Sequence, residues 1–383
     1  MRKVVNLVKA AKILEDGLRL KNNMIEKAEQ QHGPRITLIK SDEHAVRQPR
    51  PCGMTIHPAY GCTLGCIYCY VKPNTKKGIE VNKLSGPELV TALSFNPHFL
   101  PGKWGTFIAL GSITECFLNE EVTAKTIEYM YWINKELGNP QQVSTKMIIR
   151  PEIAEKILSM GDPYLSVLIS ITSINMANLL EPRAPPPIER LNNAHYLNSI
   201  GLRTSVFIRP ILPGITDKES EILLRESLRF GIKELVLGSL MINTWIMSKI
   251  DKLSLPVLSN EIKSRAKSMD RSRLSPIYAS DLKQAIKRAA ESLGFVVYPA
   301  ACAANVASHR QSCYICDYGP CGNMSNLPEI EDEKELFEII GVKVKEAFLT
   351  DEQRLYVETS SPLPKHVVSL VKTSTRRRLV IKQ

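Results

Sequence analysis

The sequence predicts an α/β protein built on a parallel sheet, and three observations carry that expectation. Six short runs rich in β-branched residues recur between residues 54 and 239, stretches of helical periodicity separate them, and Gly, Pro or Asn punctuates the junctions. Strand then helix, repeated, implies parallel strands with helical crossovers, in a curled sheet or part of a (β/α) barrel. Functional loops then belong at the carboxyl ends of the strands.

Residues 1–50 read as a basic helical extension followed by a polar, irregular stretch ending in QPRPCG. The expected strands are MTIHPAY (54–60), GTFIALG (105–111), QVSTKMI (142–148), LSVLISI (165–171), RTSVFIR (203–209) and KELVLGS (233–239). Helices are expected around 121–138, 151–160, 187–200 and 217–230. A helix at 280–294 and a strand at 295–299 close a body spanning 51–300. A cysteine-rich loop, 301–325, and a small α+β tail with a basic end, 326–383, complete the division.

At 44% hydrophobic residues a substantial core is expected. No run approaches the ~18 apolar residues of a membrane span, and the N-terminus does not read as a secretory signal. A soluble cytoplasmic protein without membrane attachment is therefore expected. Residues 1–50 carry eleven Lys/Arg against six Asp/Glu, and residues 365–383 carry six Lys/Arg and no acid. These two ends account for the whole net charge of +11, so the body is balanced. Basic ends suit a polyanion, with Lys365, Lys372, Arg376, Arg377 and Arg378 as the expected phosphate track; the alternative is a pair of solubilising termini.

Seven of the nine cysteines fall in two groups, a pattern that indicates metal sites rather than disulfides. The first, PAYGCTLGCIYCYVKP (58–73), spaces Cys62, Cys66 and Cys69 as C-x3-C-x2-C directly after the first strand. Three thiolates on a short loop can hold one 4Fe–4S cube and leave one iron open for a second ligand. A zinc site, or an electron-transfer cluster with a fourth ligand elsewhere, is the alternative.

With the order YGCTLGCIYCYVKP, GSITECF, STKMIIR, SVLISITS, LEPRAPPPIERL and IRPILPGITDKE, the stretch from about 55 to 240 resembles the spore photoproduct lyase-like branch of the radical S-adenosylmethionine superfamily. The resemblance implies a partial (β/α)6 barrel of the radical S-adenosylmethionine type and a 4Fe–4S cluster on the three cysteines. It also implies S-adenosylmethionine bound at the strand ends. Gly111, Ser112 and Thr114 would lie near its methionine amino group and Lys146 near its carboxylate. Ser170 and Thr172 would lie near the ribose, and Ile208, Pro210 and Gly214 would border the adenine. Glu181 and Arg183 would form an ion pair shaping the loop, while Arg150 matches the family's arginine only across a shortened spacing. The lyase's hydrogen-donating cysteine corresponds most closely to Gly111; Cys116, five residues on, is the candidate catalytic cysteine, and thymine-dimer repair is not expected.

The second group spaces Cys302, Cys313, Cys316 and Cys321 as C-x10-C-x2-C-x4-C, enough to close a second 4Fe–4S cluster or a zinc tetrahedron. His309 reads as a surface residue, and Tyr314 and Tyr318 as metal cover or base-stacking groups. Cys52 reads as a small buried hydrophobe. The function expected is reductive cleavage of S-adenosylmethionine to a 5′-deoxyadenosyl radical that modifies a substrate, with a ferredoxin or flavodoxin as electron donor. The basic ends favour nucleic acid, tRNA or DNA, as that substrate. A protein, peptide or small metabolite is the alternative, and a nucleic-acid-binding metalloprotein is the non-enzyme reading.

Overall fold

The computed structural model describes residues 8–49, 53–71 and 78–382; Cys52 lies outside them. Seven strands form one sheet: β1 (Gly53–Ile56), β2 (Phe107–Leu110), β3 (Gln141–Thr145), β4 (Ser166–Ser170), β5 (Arg203–Ile211), β6 (Glu234–Ser239) and β7 (Val296–Tyr298). They lie side by side in chain order, every pair is parallel, and β1 and β7 are the edges. The expected strand 54–60 stops at Ile56, two residues before Pro58. Ala59–Tyr60 then pairs separately with Glu80–Val81.

Side chains alternate across a strand, and the two faces have different covers. Ile108, Leu110, Val143, Val167, Ile169 and Val206 meet Tyr129, Ile153, Leu191 and Leu223 of the crossover helices Glu120–Trp132, Pro151–Met160, Pro187–Ser199 and Ser220–Arg229. Each such apolar side chain contributes roughly 1.5–3 kcal/mol by leaving water. On the other face, Phe107, Leu168, Phe207 and Val236 meet the helix Ala301–Ser308 through Ala304 and Val306. Gln142 Nε2 donates to Ala301 O at 2.9 Å, anchoring that helix near the amino ends of the strands. The expected cysteine-rich loop thus begins as a helix that fills the inner face from the amino ends to the middle. Above it Ser144, Ser170 and Gly238 lie on the same face of the carboxyl half of the sheet.

Two elements escape the strand–helix pattern. Gly86–Phe95 is a helix opened by a capping box, in which Glu88 accepts from Ser85 N at 2.7 Å while Ser85 Oγ receives Glu88 N–H. Residues 240–279 form a cap with helices Thr244–Asp251 and Pro256–Arg265. Its Ile242, Ile246, Ile250, Leu258 and Ile262 pack with Leu64, Cys66 and Tyr68 of the first cysteine loop.

The chain ends meet. The helix Ala10–His32 shares an apolar cluster with the C-terminal part, Ala10 and Leu14 joining Phe337, Val357 and Val371. That part holds the three-stranded sheet β8 (Glu346–Leu349), β9 (Leu355–Glu358) and β10 (Leu379–Lys382) and the helix Lys365–Thr375. The irregular stretch expected after the first helix is largely helical too, at Ile36–Ser41 and Glu43–Val46. The expected phosphate track is overturned at its centre: Arg376 is 0% and Arg377 5% exposed. Arg376 stacks 3.9 Å over the Phe107 ring and donates to Gly105 O at 2.7 Å, while Arg377 donates to Pro328 O and Thr375 O. Carbonyl oxygens of the backbone and of Gln311 and Gln353, rather than phosphates, receive these donors. Arg378 meets Asp317. Among the described residues, no helix is long and apolar enough to cross a membrane.

Candidate functional site

After β1 the chain enters the first cysteine loop at the carboxyl end of the sheet. Ile67 N–H donates to Leu180 O at 3.0 Å, and Lys249 Nζ from the cap donates to Cys66 O at 3.3 Å and Cys69 O at 3.1 Å. The loop is therefore clamped between the segment after β4 and the cap. Burial pushes the Cys66 thiol up to about 12, against the pull of the Lys146 ammonium, and raises Cys62 as well. Protein groups alone hold both thiols above their ordinary value, and a bound metal cation would make thiolates of them. Three soft donors on one loop suit an iron–sulfur cluster or zinc. Among the described residues, no three His, Cys, Asp or Glu side chains converge as a metal-holding group, for either cysteine set.

Lys146, one residue beyond β3, sits 5.7 Å over the Tyr68 ring. Burial opposes its charge, yet the fields of Glu181 and Glu115 raise its pKa above the ordinary lysine value. Its Nζ makes no hydrogen bond or ion pair among the described residues, so the ammonium is free for an anion. Its backbone N–H donates to Glu115 at 2.9 Å, and Thr145 Oγ1 donates to the same carboxylate at 2.5 Å. Glu115, buried and raised by that burial, was invisible as a site residue in sequence, although it lies inside GSITECF.

Glu181 is paired, but not with Arg183. Its Oε2 lies 2.6 Å from Arg190 Nη1, and its Oε1 accepts from Tyr68. Arg190 also donates to Ser170 O at 2.9 Å and Pro185 O at 2.6 Å, locking the loop after β4 to the helix Pro187–Ser199. Arg183 instead packs its guanidinium against Gly65 of the cysteine loop. Arg150 pairs with exposed Glu152, away from the site.

Gly111 has φ 90°, and a Cβ there would lie 2.4 Å from Ser144 O, so no side chain fits at that point. Ser112 O accepts from Tyr70, and Ser112 Oγ lies 3.5 Å from Nδ1 of His57, a neighbour that sequence reasoning did not single out. Burial, reinforced by Arg47, pushes His57 down to about 3, which keeps it neutral. The Thr114 hydroxyl is buried without a hydrogen-bond partner among the described residues, an orphan that a polar ligand would satisfy.

No protein-family model matches the chain. The chain is similar in structure to solved forms of spore photoproduct lyase. One covers 66% of this chain and 77% of the lyase at a TM-score of 0.55 and 17% identity. A form with bound AdoMet and dinucleoside spore photoproduct covers 63% and 74% at a TM-score of 0.54 and 17% identity. The chain has the spore photoproduct lyase fold. An uncharacterized protein of Acidianus two-tailed virus, ORF301, is 26% identical over 199 residues. The match spans 48% of this chain and 63% of the viral protein, less than two thirds of that relative's length.

Within the lyase fold, the remaining expected residues separate. Thr172 Oγ1 donates to the Tyr68 hydroxyl at 3.2 Å, and the Ser170 side chain is buried on the inner face. Pro210 is buried in β5, and Gly214 N–H donates to Asp217 at 2.6 Å beside Val257 of the cap. Ile208 and Cys116 point elsewhere. Both are 0% exposed in the cluster between sheet and crossover helices, because strand alternation and the approach of the helix Glu120–Trp132 turn them away from the mouth. Burial holds the Cys116 thiol far above its ordinary value.

The second cysteine group lies at the other end of the sheet, by the amino end of β2. Cys313 and Cys321 face each other across an antiparallel bridge, exchanging N–H···O bonds of 2.9 and 2.8 Å. They cluster with Phe107, Val306 and Ile315, with Cys302 alongside. Burial pushes Cys313 up to about 11 and Cys321 to about 12, each also feeling Cys302 and Cys316. His309 is buried rather than superficial: its ring nitrogens meet Asn305 O at 2.9 Å and Asp162 Oδ2 at 2.7 Å, so it is committed to packing. Tyr314 is half-buried and Tyr318 is 65% exposed.

Proposed function

We propose that the chain is a radical S-adenosylmethionine enzyme, with Cys62, Cys66 and Cys69 as ligands of a 4Fe–4S cluster. The observation that carries this reading is the clamped three-cysteine loop at the carboxyl end of β1, beside the unpaired Lys146 ammonium, in the spore photoproduct lyase fold. When bound, such a cluster supplies the electron that cleaves S-adenosylmethionine to a 5′-deoxyadenosyl radical. Lys146 then neutralises the methionine carboxylate, and Glu115 positions Lys146 through its backbone. Ser112 and Thr114 offer polar groups to the methionine amino end, and Ser170 to the ribose. Pro210 and Gly214 border the adenine. Tyr68, held by Glu181 and Thr172, forms a rigid floor that excludes water.

The same reading covers the body 51–300 as the partial (β/α)6 barrel and 301–325 as a second metal region on Cys302, Cys313, Cys316 and Cys321. Metal content separates its two versions: about eight irons per chain for two cubes, or about four with one zinc. A cytoplasmic setting and a ferredoxin or flavodoxin donor follow from the chemistry. Nucleic acid is the favoured substrate class. Its support comes from the cap rather than from Arg376 and Arg377: residues 240–279 hold seven basic against three acidic residues. Of these, Lys267, Arg271 and Arg273 are exposed without ion pairs among the described residues. The test is anaerobic reconstitution with reductant and S-adenosylmethionine. The parent protein forms 5′-deoxyadenosine, and Cys62→Ala, Cys66→Ala and Cys69→Ala do not.

A further inference from the structure

We propose that Lys249 sets the electron affinity of the 4Fe–4S cluster on the first cysteine loop, its ammonium favouring the reduced form. This rests on reading Cys62, Cys66 and Cys69 as the ligands of that cluster. Lys249 lies in the cap helix Thr244–Asp251, and its Nζ donates to Cys66 O at 3.3 Å and to Cys69 O at 3.1 Å. The side chain is held there from its own helix. Its Nζ sits 4.0 Å over the ring of Trp245, four residues earlier on the same helix face. Ile246 and Ile250 beside it share one apolar group with Leu64, Cys66 and Tyr68, which seats the helix on the loop. Covalent geometry from carbonyl oxygen to Sγ then keeps the charge within about 9 Å of the Cys66 and Cys69 sulfurs.

A clamp alone does not need a charge at this place. Cys66 O already accepts from Cys69 N–H at 3.1 Å, so Lys249 adds a cation to a carbonyl that has a donor. Lys249 forms no ion pair among the described residues, whereas Lys263 and Arg265 of the next cap helix do, with Asp251 at 3.1 Å and Asp281 at 2.8 Å. Burial opposes the ammonium, and the two carbonyl dipoles and the Trp245 face support it. A cube held by three thiolates carries about one net negative charge when oxidised and about two when reduced. The step is the gain of one electron from a low-potential reductant such as dithionite, with no bond made or broken. A fixed cation at this range stabilises the more negative form, because its field is only partly screened in a half-buried site. The cap thus takes part in the redox step as well as holding the loop.

The full chain is reconstituted anaerobically and titrated with dithionite at set potentials, without S-adenosylmethionine, while the EPR signal of the reduced cluster is followed. Lys249→Met makes reduction about tenfold less favourable, a midpoint about 59 mV lower for one electron. Lys249→Gln moves it the same way. Lys249→Arg keeps the charge and stays within about threefold of the parent. Lys263→Gln, on the next cap helix, leaves the midpoint unchanged. The signal comes from loaded protein alone, so lower cluster occupancy in a variant does not alter the reading. A merely structural clamp would change occupancy or melting temperature and leave the potential where it was. Loaded neutral variants with the parent's midpoint, or a Lys249→Arg that falls as far as Lys249→Met, overturn the role. Failure of both neutral variants to load any cluster also overturns it, leaving Lys249 a clamp alone. A parent that shows no cluster signal overturns the cofactor reading itself and this role with it, an outcome distinct from the others because it appears before any substitution.

Discussion

Lys146 keeps its charge over the Tyr68 ring, its Nζ without a hydrogen-bonded partner among the described residues, an arrangement that favours an anionic ligand. Lys146→Ala should weaken S-adenosylmethionine binding by about 1.5–3 kcal/mol, as for a lost charge-assisted contact, measured by calorimetry on reconstituted protein. Unchanged affinity would remove Lys146 from the cofactor site. The buried Glu181–Arg190 pair belongs to the scaffold. Arg190→Met leaves an uncompensated carboxylate beside Tyr68 and should cost about 3–5 kcal/mol, read from urea midpoints. A cost below about 1 kcal/mol would mean the pair does not hold the loop. The place of Lys146 at the end of a strand was legible in the S-T-K run. The partner of Glu181 was not, because Arg183 is nearer in sequence and only the docking of the helix Pro187–Ser199 brings Arg190 in. The burial of Cys116 was hidden for a related reason: spacing along a loop does not say which face of the sheet a side chain joins.

Among the elements, the helix Gly86–Phe95 is tied to the N-terminal helices by Arg35, which donates to Glu88 at 2.9 Å. That bond, ahead of the Ser85 contacts, pulls the Glu88 carboxyl from 4.5 down to about 2. A depressed carboxylate stabilises the fold above its unfolded pKa and loses that contribution as pH falls through the folded one. Glu88→Gln should therefore cost about 1–2 kcal/mol at neutral pH, with the gap to the parent closing between about pH 4.5 and pH 2. A gap that persists in acid would contradict the assignment. Deleting residues 365–383 tests the tail. With Val371 in the core and Arg376 against Phe107, the truncated protein should melt well below the parent, beyond any loss of nucleic-acid binding. An unchanged melting temperature would return the tail to a solubilising role. The strands and long crossover helices were legible from periodicity. The cap was not, because Ile246, Ile250, Leu258 and Ile262 sit on two short helices whose apolar stripe has meaning only against Leu64 and Tyr68. The capping box at Ser85 and Glu88 was a readable signal that the strand–helix count passed over. The arginine run read as solvated because sequence does not show backbone carbonyls waiting for it.

At the scale of the molecule, one parallel sheet separates two cysteine groups: the first at its carboxyl mouth under a basic cap, the second at its amino ends where the helix Ala301–Ser308 fills the inner face. The meeting of the N-terminal helix with the C-terminal strands braces this arrangement from outside. The fold class followed from alternation alone, but the filling of the inner face did not, since it depends on a helix more than fifty residues beyond β6 in sequence. The central claim is radical cleavage of S-adenosylmethionine at the first cysteine loop. The most direct measurement is chromatographic detection of 5′-deoxyadenosine from anaerobically reconstituted protein with dithionite, for the parent and Cys66→Ala side by side. The account predicts product from the parent and none above background from the variant. Equal amounts from both, or none from a parent shown to carry a 4Fe–4S cluster, would contradict it.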